Sequence, residues 1–218
     1  MPDNAFIDEL DRFREDFLRR LDAIRGDDGV PTQDEVNRRL RLALRQELEA
    51  AQIAALWIPS SKALDVKLSW IKLCGDEGKH YRLIETRMQQ LGIEPMTDDP
   101  LAGGTSKLYD YLATLHDEVE RIAAAQYTRE AIGHLRNEQF IDFCERAGDK
   151  STAGLYRKQI QPDEWAHVQS GRSLLLKYAA DETSRQAARR VAQKTLEIAE
   201  GAVQMLVTQQ GMSCSPGC

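Results

Sequence analysis

"GDEGKHYRL" occupies residues 75–83, and "PDEWAHVQS" occupies residues 162–170. Both hold the order Asp-Glu-x-x-His, as Asp76-Glu77-Gly-Lys-His80 and Asp163-Glu164-Trp-Ala-His167. The chain has four histidines, so two of them share one local frame. On a helix, three residues rotate the side chain through about 300°, which leaves positions i and i+3 about 60° apart and one turn along the axis. Glu77 and His80 can therefore reach one point inside a bundle, and Glu164 and His167 can do the same. A carboxylate and an imidazole from each of two helices form half of a dinuclear metal site. The other half needs one glutamate from each of two partner helices.

The flanking sequence supplies helices for such a bundle. Residues 4–25 carry Ile7, Leu10, Phe13, Phe17, Leu18, Leu21 and Ile24, an amphipathic spacing that ends at "RGDDGVP". Pro31-Thr32 leads into a second helix over residues 33–57, with Val36, Leu40, Leu44, Leu48 and Ala51 on one stripe, broken by Pro59-Ser60-Ser61. Leu64, Leu68, Ile71, Cys74 and Leu83 mark a third pattern towards Leu91. "GIEPMTDDPLAGGTS", residues 92–106, is an irregular connection; 15 extended residues reach at most ~50 Å, enough to return along a bundle. Residues 107–147 read as helical, with room for a break. "AGDKSTAG" is a turn whose Ser151 or Thr152 is placed to cap a helix running to about Tyr178. Asp181-Glu182-Thr183 opens a last helix carrying Ala188, Val191, Leu196, Ala199, Val203 and Leu206. The expectation is an all-α fold: a four-helix core over residues 33–178 in a single domain of residues 1–209, with an additional helix at each end.

Composition agrees with a soluble globular chain: 218 residues, 42% hydrophobic and 29% charged. The net charge of −6 gives no electrostatic case for a nucleic-acid surface. No run approaches 18 apolar residues, and the start "MPDNAFIDELDRF" does not read as a signal peptide. Four cysteines make no disulfide framework, so the expected location is the cytoplasm.

Depth along the helices selects the partner glutamates. With a turn near residue 60, Glu47 lies 13 residues before it and Glu77 lies 17 after it, or ~20 and ~26 Å. Glu49 sits at ~17 Å and faces elsewhere, since two residues rotate by about 200°, so Glu47 is preferred and Glu49 is the reserve. With the second turn near residue 149, Glu130 lies at ~29 Å, Glu164 at ~23 Å and Glu138 at ~17 Å. Depth leaves Glu130 and Glu138 level. Glu130 shares a face with Tyr127, His134 and Ile141, and this favours it.

Glu47, Glu77-Gly-Lys-His80, Glu130 and Glu164-Trp-Ala-His167 together resemble the pattern of the ferritin-like dinuclear carboxylate proteins, over roughly residues 36–178. Within them, "AGDKSTAGLYRKQIQPDEWAHVQSG" looks like uncharacterised members with a Gly-Asp turn before an Asp-Glu-x-x-His-Val-x-x-Gly helix. The resemblance implies a ferritin-like four-helix bundle and two iron ions held by Glu47, Glu77, His80, Glu130, Glu164 and His167, with Mn/Fe and Mn/Mn pairs as alternatives. It also implies dioxygen activation and oxidation of a small-molecule substrate, with an external electron donor as a further partner. Asp76 and Asp163 would then each support a histidine across the bundle, because imidazole bound through one nitrogen leaves the other needing an acceptor. A hard, oxygen-rich donor set independently suits iron or manganese.

Other readings stand beside this one. The long final helix argues for a monomer or homodimer over a storage cage, and the chain lacks the paired Cys-x-x-Cys of a rubredoxin domain that a rubrerythrin-like peroxidase usually brings. A manganese catalase, a peroxidase-like protein, a tRNA-modifying hydroxylase (disfavoured by the acidic charge) and a metal-free helical interaction module remain alternatives. Gly171 and Ala166 leave room beside the site or serve helix packing. His134, Tyr127, Tyr81 and Cys74 are candidates for its surroundings, each with an ordinary packing role as the competing reading, and His116 reads as solvated. The tail, residues 210–218, places Cys214 and Cys218 four apart, close enough for a disulfide or a soft-metal clasp, though a flexible end is preferred.

Overall fold

A computed structural model describes residues 4–24, 31–94, 99–210 and 216–217. Cys214 and Cys218, and part of the 25–31 and 92–106 connections, lie outside the described residues.

Among the described residues all regular structure is helical: α1 (Asn4–Ala23), α2 (Gln33–Trp57), α3 (Leu64–Gln90), α4 (Lys107–Ala113), α5 (Glu118–Arg121), α6 (Glu130–Arg146), α7 (Lys150–Leu155), α8 (Gln161–Tyr178) and α9 (Glu182–Gln210). A π-helical stretch, Ile122–Arg129, joins α5 to α6, and a second, Tyr156–Ile160, joins α7 to α8. Residues 118–146 and 150–178 thus form two long rods. Local chemistry sets the ends. Thr32 and Glu35 form a reciprocal capping box at the start of α2. Glu118 accepts from the backbone N–H groups of Lys62 (2.7 Å) and Ala63 (3.3 Å), which ties the start of α3 to the start of α5. The expected break in 107–147 falls between α4 and α5, where Asp117 caps α5. Gly148 takes φ +82°, a left-handed conformation that favours glycine, and lets the chain reverse.

The α2–α3 hairpin packs against the hairpin of the two rods, and α1 and α9 lie on the outside of the second hairpin. Two apolar clusters fill the bundle on either side of a polar middle. One contains Trp57 against Trp70, rings edge-on with centroids 5.0 Å apart. The other contains Phe140 against Tyr156, also at 5.0 Å. Each such ring is worth roughly 1.5–3 kcal/mol of burial. A third cluster joins Phe17 and Leu21 of α1 to Ile132 of α6 and Leu196, Ala199 and Val203 of α9.

Three expectations need correction. The stripe Leu64, Leu68, Ile71 faces solvent, at 70, 54 and 46% exposure. The inward face of α3 is Val66, Trp70, Leu73, Glu77, His80, Ile84 and Met88, because the polar pair itself points into the bundle and carries the heptad through it. Second, neither Ser151 nor Thr152 caps α7. Asp149 does, accepting from Thr152 N at 3.0 Å, and it also takes a 2.7 Å hydrogen bond from Arg87. Its carboxylate reaches an amide three residues on, whereas both hydroxyls already lie inside the helix. Third, Ala166 is exposed and leaves no room in the interior. Gly171 is a packing glycine: a Cβ there would stand 2.8 Å from both Gln126 C and Tyr127 N, in the backbone of the first π stretch.

Candidate metal centre

Four helical rods deliver the six expected side chains to one place. Glu47 comes from α2, Glu77 and His80 from α3, Glu130 from the first turn of α6, and Glu164 and His167 from α8. All six are buried, none more than 5% exposed. They form two overlapping groups. Glu47, Glu77, His80 and Glu164 each offer one ligand atom, all within 4.8 Å of one another; Glu77, Glu130 and His167 do the same. Glu77 belongs to both. The reserve candidates go elsewhere. Glu49 is buried but accepts from Ser106 N (2.7 Å) and Ser106 Oγ (2.6 Å), and Glu138 accepts from Gln161 on the outside.

His80 Nδ1 has Glu47, Glu164 and Glu77 oxygens at 3.5, 3.6 and 3.7 Å. None closes a hydrogen bond to it, and Glu77 Oε1 is likewise buried without a partner among the described residues. A buried polar atom left unpaired costs about 1–3 kcal/mol. Donors of this kind, gathered around a point and not bonded to one another, fit a shared cation. His167 Nδ1 lies 3.0 Å from Glu130 Oε2 and 3.6 Å from Glu77 Oε1. The other nitrogens are held from across the bundle: His167 Nε2 donates to Asp76 at 2.9 Å, and His80 Nε2 to Asp163 at 3.2 Å. Lys72 donates in turn to Asp76, and Lys79 to Asp163. With Nε2 protonated and engaged, Nδ1 is the nitrogen presented to the centre.

Electrostatics follow from burial and crowding. Burial, reinforced by the Glu77 charge, raises Glu47 to about 8. Burial also raises Glu77, but His80 and Glu47 outweigh it and bring Glu77 down to about 2. Glu164 is pushed well up by burial and by the charges of Glu77 and Glu130. Burial disfavours imidazolium at both histidines. Glu47 and Glu77 overcome this at His80 and raise it to about 12, and Asp76 and Glu130 raise His167 to about 10. Without metal the centre therefore holds its protons at neutral pH, and a cation must displace them.

A pH dependence follows. His80, His167 and Glu47 all have folded values above their unfolded ones, so each contributes stability at low pH that is lost as pH rises through about 12, 10 and 8 respectively. The metal-free protein should melt at progressively lower temperature from about pH 6 to about pH 10, and metal uptake near pH 7 should release protons. Thermal scans across that range and an indicator dye in weak buffer measure both. A melting temperature that rises over the same range would contradict the assignment.

Some neighbours were not legible in the sequence. Arg129 Nη1 donates to Glu130 Oε1 at 2.7 Å. Adjacent residues on an α-helix diverge by about 100°, so sequence order gave no sign of this contact at the end of the π stretch. Tyr156, fully buried, has a hydroxyl that finds no hydrogen-bond partner among the described residues and feels the charges of Glu47 and Glu164. The tyrosines singled out earlier lie elsewhere: Tyr127 donates to Asp11 at 2.6 Å under the Arg14 guanidinium, and Tyr81 packs against the apolar cluster of Phe140. His134 is half-buried against Trp165, with ring centroids 5.5 Å apart, and His116 is exposed. Cys74 is half-buried, and burial raises its thiol.

Fold and site define an all-α bundle with a buried carboxylate–histidine centre able to hold metal. The chain belongs to the family described as "Protein of unknown function (DUF455)", whose model matches residues 44–205 and so spans all six candidate ligands. No curated protein matches it. Among solved structures it is similar to a TenA homologue from Pyrococcus furiosus, at 15% identity and a TM-score of 0.63, over 89% of this chain and 96% of that one. At that identity the likeness concerns the all-α fold alone. Among the described residues no helix is long and apolar enough to cross a membrane.

Proposed function

We propose that the chain is a non-haem dinuclear-metal oxidoreductase, an O2-activating diiron oxygenase or hydroxylase acting on a small organic substrate. The observation that carries this reading is Glu77, one buried carboxylate shared by two donor groups that each include a histidine. The donors are oxygen and imidazole nitrogen with no thiolate among them, which suits iron or manganese. Two iron ions so held would supply electrons for the reduction of dioxygen.

The chain's own residues would do the rest. Asp76 and Asp163 fix the ring orientation and proton position of His167 and His80. Arg129 holds one oxygen of Glu130 and leaves the other towards His167. The Trp57–Trp70 and Phe140–Tyr156 pairs are buried in the apolar clusters on either side of it. Reducing equivalents come from an external donor or from the substrate.

The test loads metal-free protein anaerobically with Fe(II), counts ions per chain, and follows dissolved oxygen after mixing. Uptake of about one O2 per loaded centre, abolished in the His80→Ala/His167→Ala double variant, is the expected result. A loaded protein inert to oxygen that instead consumes hydrogen peroxide with manganese would replace the oxygenase by a catalase. No metal uptake would leave the helical interaction module.

A further inference from the structure

A cavity of about 550 Å³ opens between α2, α4, α6 and α9. Its walls are mainly apolar, and Leu42, Leu108, Ile132, Ile198, Val203 and Leu206 are among the residues that line it. A second, narrow space of about 10 Å³, room for roughly one water molecule, is lined by Gln46, Arg129, Gly133 and Gly217 together with Glu47, Glu77 and Glu164. Gln46 and Gly217 line both spaces. The cavity therefore adjoins the carboxylate cluster at one point, and Gln46 stands at that point.

The chemistry of the walls limits what fits. Glu49 is occupied by both Ser106 donors and by Arg45 Nε at 3.3 Å, and Arg45 Nη2 donates to Gly104 O at 2.7 Å. Arg136 Nη1 donates to Gln139 Oε1 at 2.7 Å. At the junction the Gln46 side chain packs against Gly217, where a Cβ would stand 2.9 Å from Gln46 Oε1; that oxygen is closed to solvent and has no donor among the described residues. A chamber with mainly apolar walls, its Arg45, Glu49 and Arg136 engaged in hydrogen bonds, suits an apolar body. The volume falls within the ~300–1,000 Å³ typical of small-molecule sites.

We propose that this cavity is the substrate chamber of the candidate centre, and that it takes a predominantly apolar small molecule. The inference rests on the dinuclear reading and adds a substrate class to it.

The test uses full-length protein loaded with Mn(II) and the neutral probe N-phenyl-1-naphthylamine, an apolar molecule. Ala202 and Leu42 line the cavity from α9 and α2. Ala202→Trp and Leu42→Trp each place an indole in it from opposite walls, so one variant remains informative if the other folds poorly. The expected result is one probe per chain by fluorescence titration, bound at least tenfold more weakly in the folded tryptophan variants, whose manganese content stays unchanged. Mn(II) should also broaden the proton resonances of the bound probe. Binding that ignores both substitutions, or resonances unaffected by Mn(II), would overturn the chamber while leaving the metal reading intact. A concentration-dependent dimer abolished by the same substitutions would assign the cavity to a second copy and equally overturn it. Failure of the unmodified protein to take up manganese would overturn the dinuclear reading and, with it, the chamber's role, so the two failures are told apart by metal content.

Discussion

Glu77→Ala should empty both metal positions at once: under the dinuclear reading, content falls from two ions per chain to below about 0.2 after desalting. The reason is geometric. Glu77 is the one side chain present in both donor groups. Its loss leaves Glu47, His80 and Glu164 in one group, and only Glu130 and His167 in the other. The second pair is further weakened because Glu130 gives one oxygen to Arg129. Replacing His167 alone should behave differently, removing one position and leaving about one ion per chain. Asp76→Asn, which only loosens the His167 ring from behind, should weaken binding about 10–100-fold, as loss of an outer partner does. Elemental analysis of the three variants, with circular dichroism to verify helix content, separates the cases. Two ions retained by a folded Glu77→Ala protein would rule out a shared carboxylate.

Gly171→Val should destabilise the fold by about 3 kcal/mol or more, at the upper end of overpacking costs. For a chain of this size that lowers the melting temperature by about 6–12 °C. A Cβ at this position meets Gln126 C and Tyr127 N at 2.8 Å and Gln126 O at 3.0 Å. These are backbone atoms, which cannot rotate away as a side chain would. Relief requires α8 to move off the π stretch Ile122–Arg129, and that movement would disturb the spacing between His167 on α8 and Glu130 at the end of the stretch. Gly171→Ala should show the same effect in smaller measure. A thermal scan decides the matter: an unchanged melting temperature for the valine variant would mean that the two helices are not in this close contact.

Most of the architecture was legible because its signals are local. Helix periodicity, the Pro59-Ser60-Ser61 break and the Gly148 turn act over a few residues, and the bounds of α2 came out as the sequence implies. The two Asp-Glu-x-x-His segments were legible for the same reason: their spacing alone puts Glu and His on one face. Glu47 over Glu49 followed from rotation, and Glu130 over Glu138 from face, since depth left that choice level. The outward turn of Leu64, Leu68 and Ile71 was not legible. An apolar stripe normally faces the core, and only the inward demand of Glu77 and His80 reverses it on α3. Nor were the π stretches, which change the register of faces without any residue that announces them, or the approach of Gly171 to one of them. Tyr156 and Arg129 reach the centre through that changed register, and the cavity beside Gln46 depends on where α9 comes to rest.

The crossed hydrogen bonds have a consequence of their own. Asp76 of α3 holds the histidine of α8, and Asp163 of α8 holds the histidine of α3. Each hairpin thus carries two glutamates and an imidazole for its own half, together with the acceptor that the opposite half requires. A hairpin by itself would have an unsupported ring and an idle aspartate. The centre is therefore complete only while the two hairpins are docked, and parting them removes the support of both histidines at once.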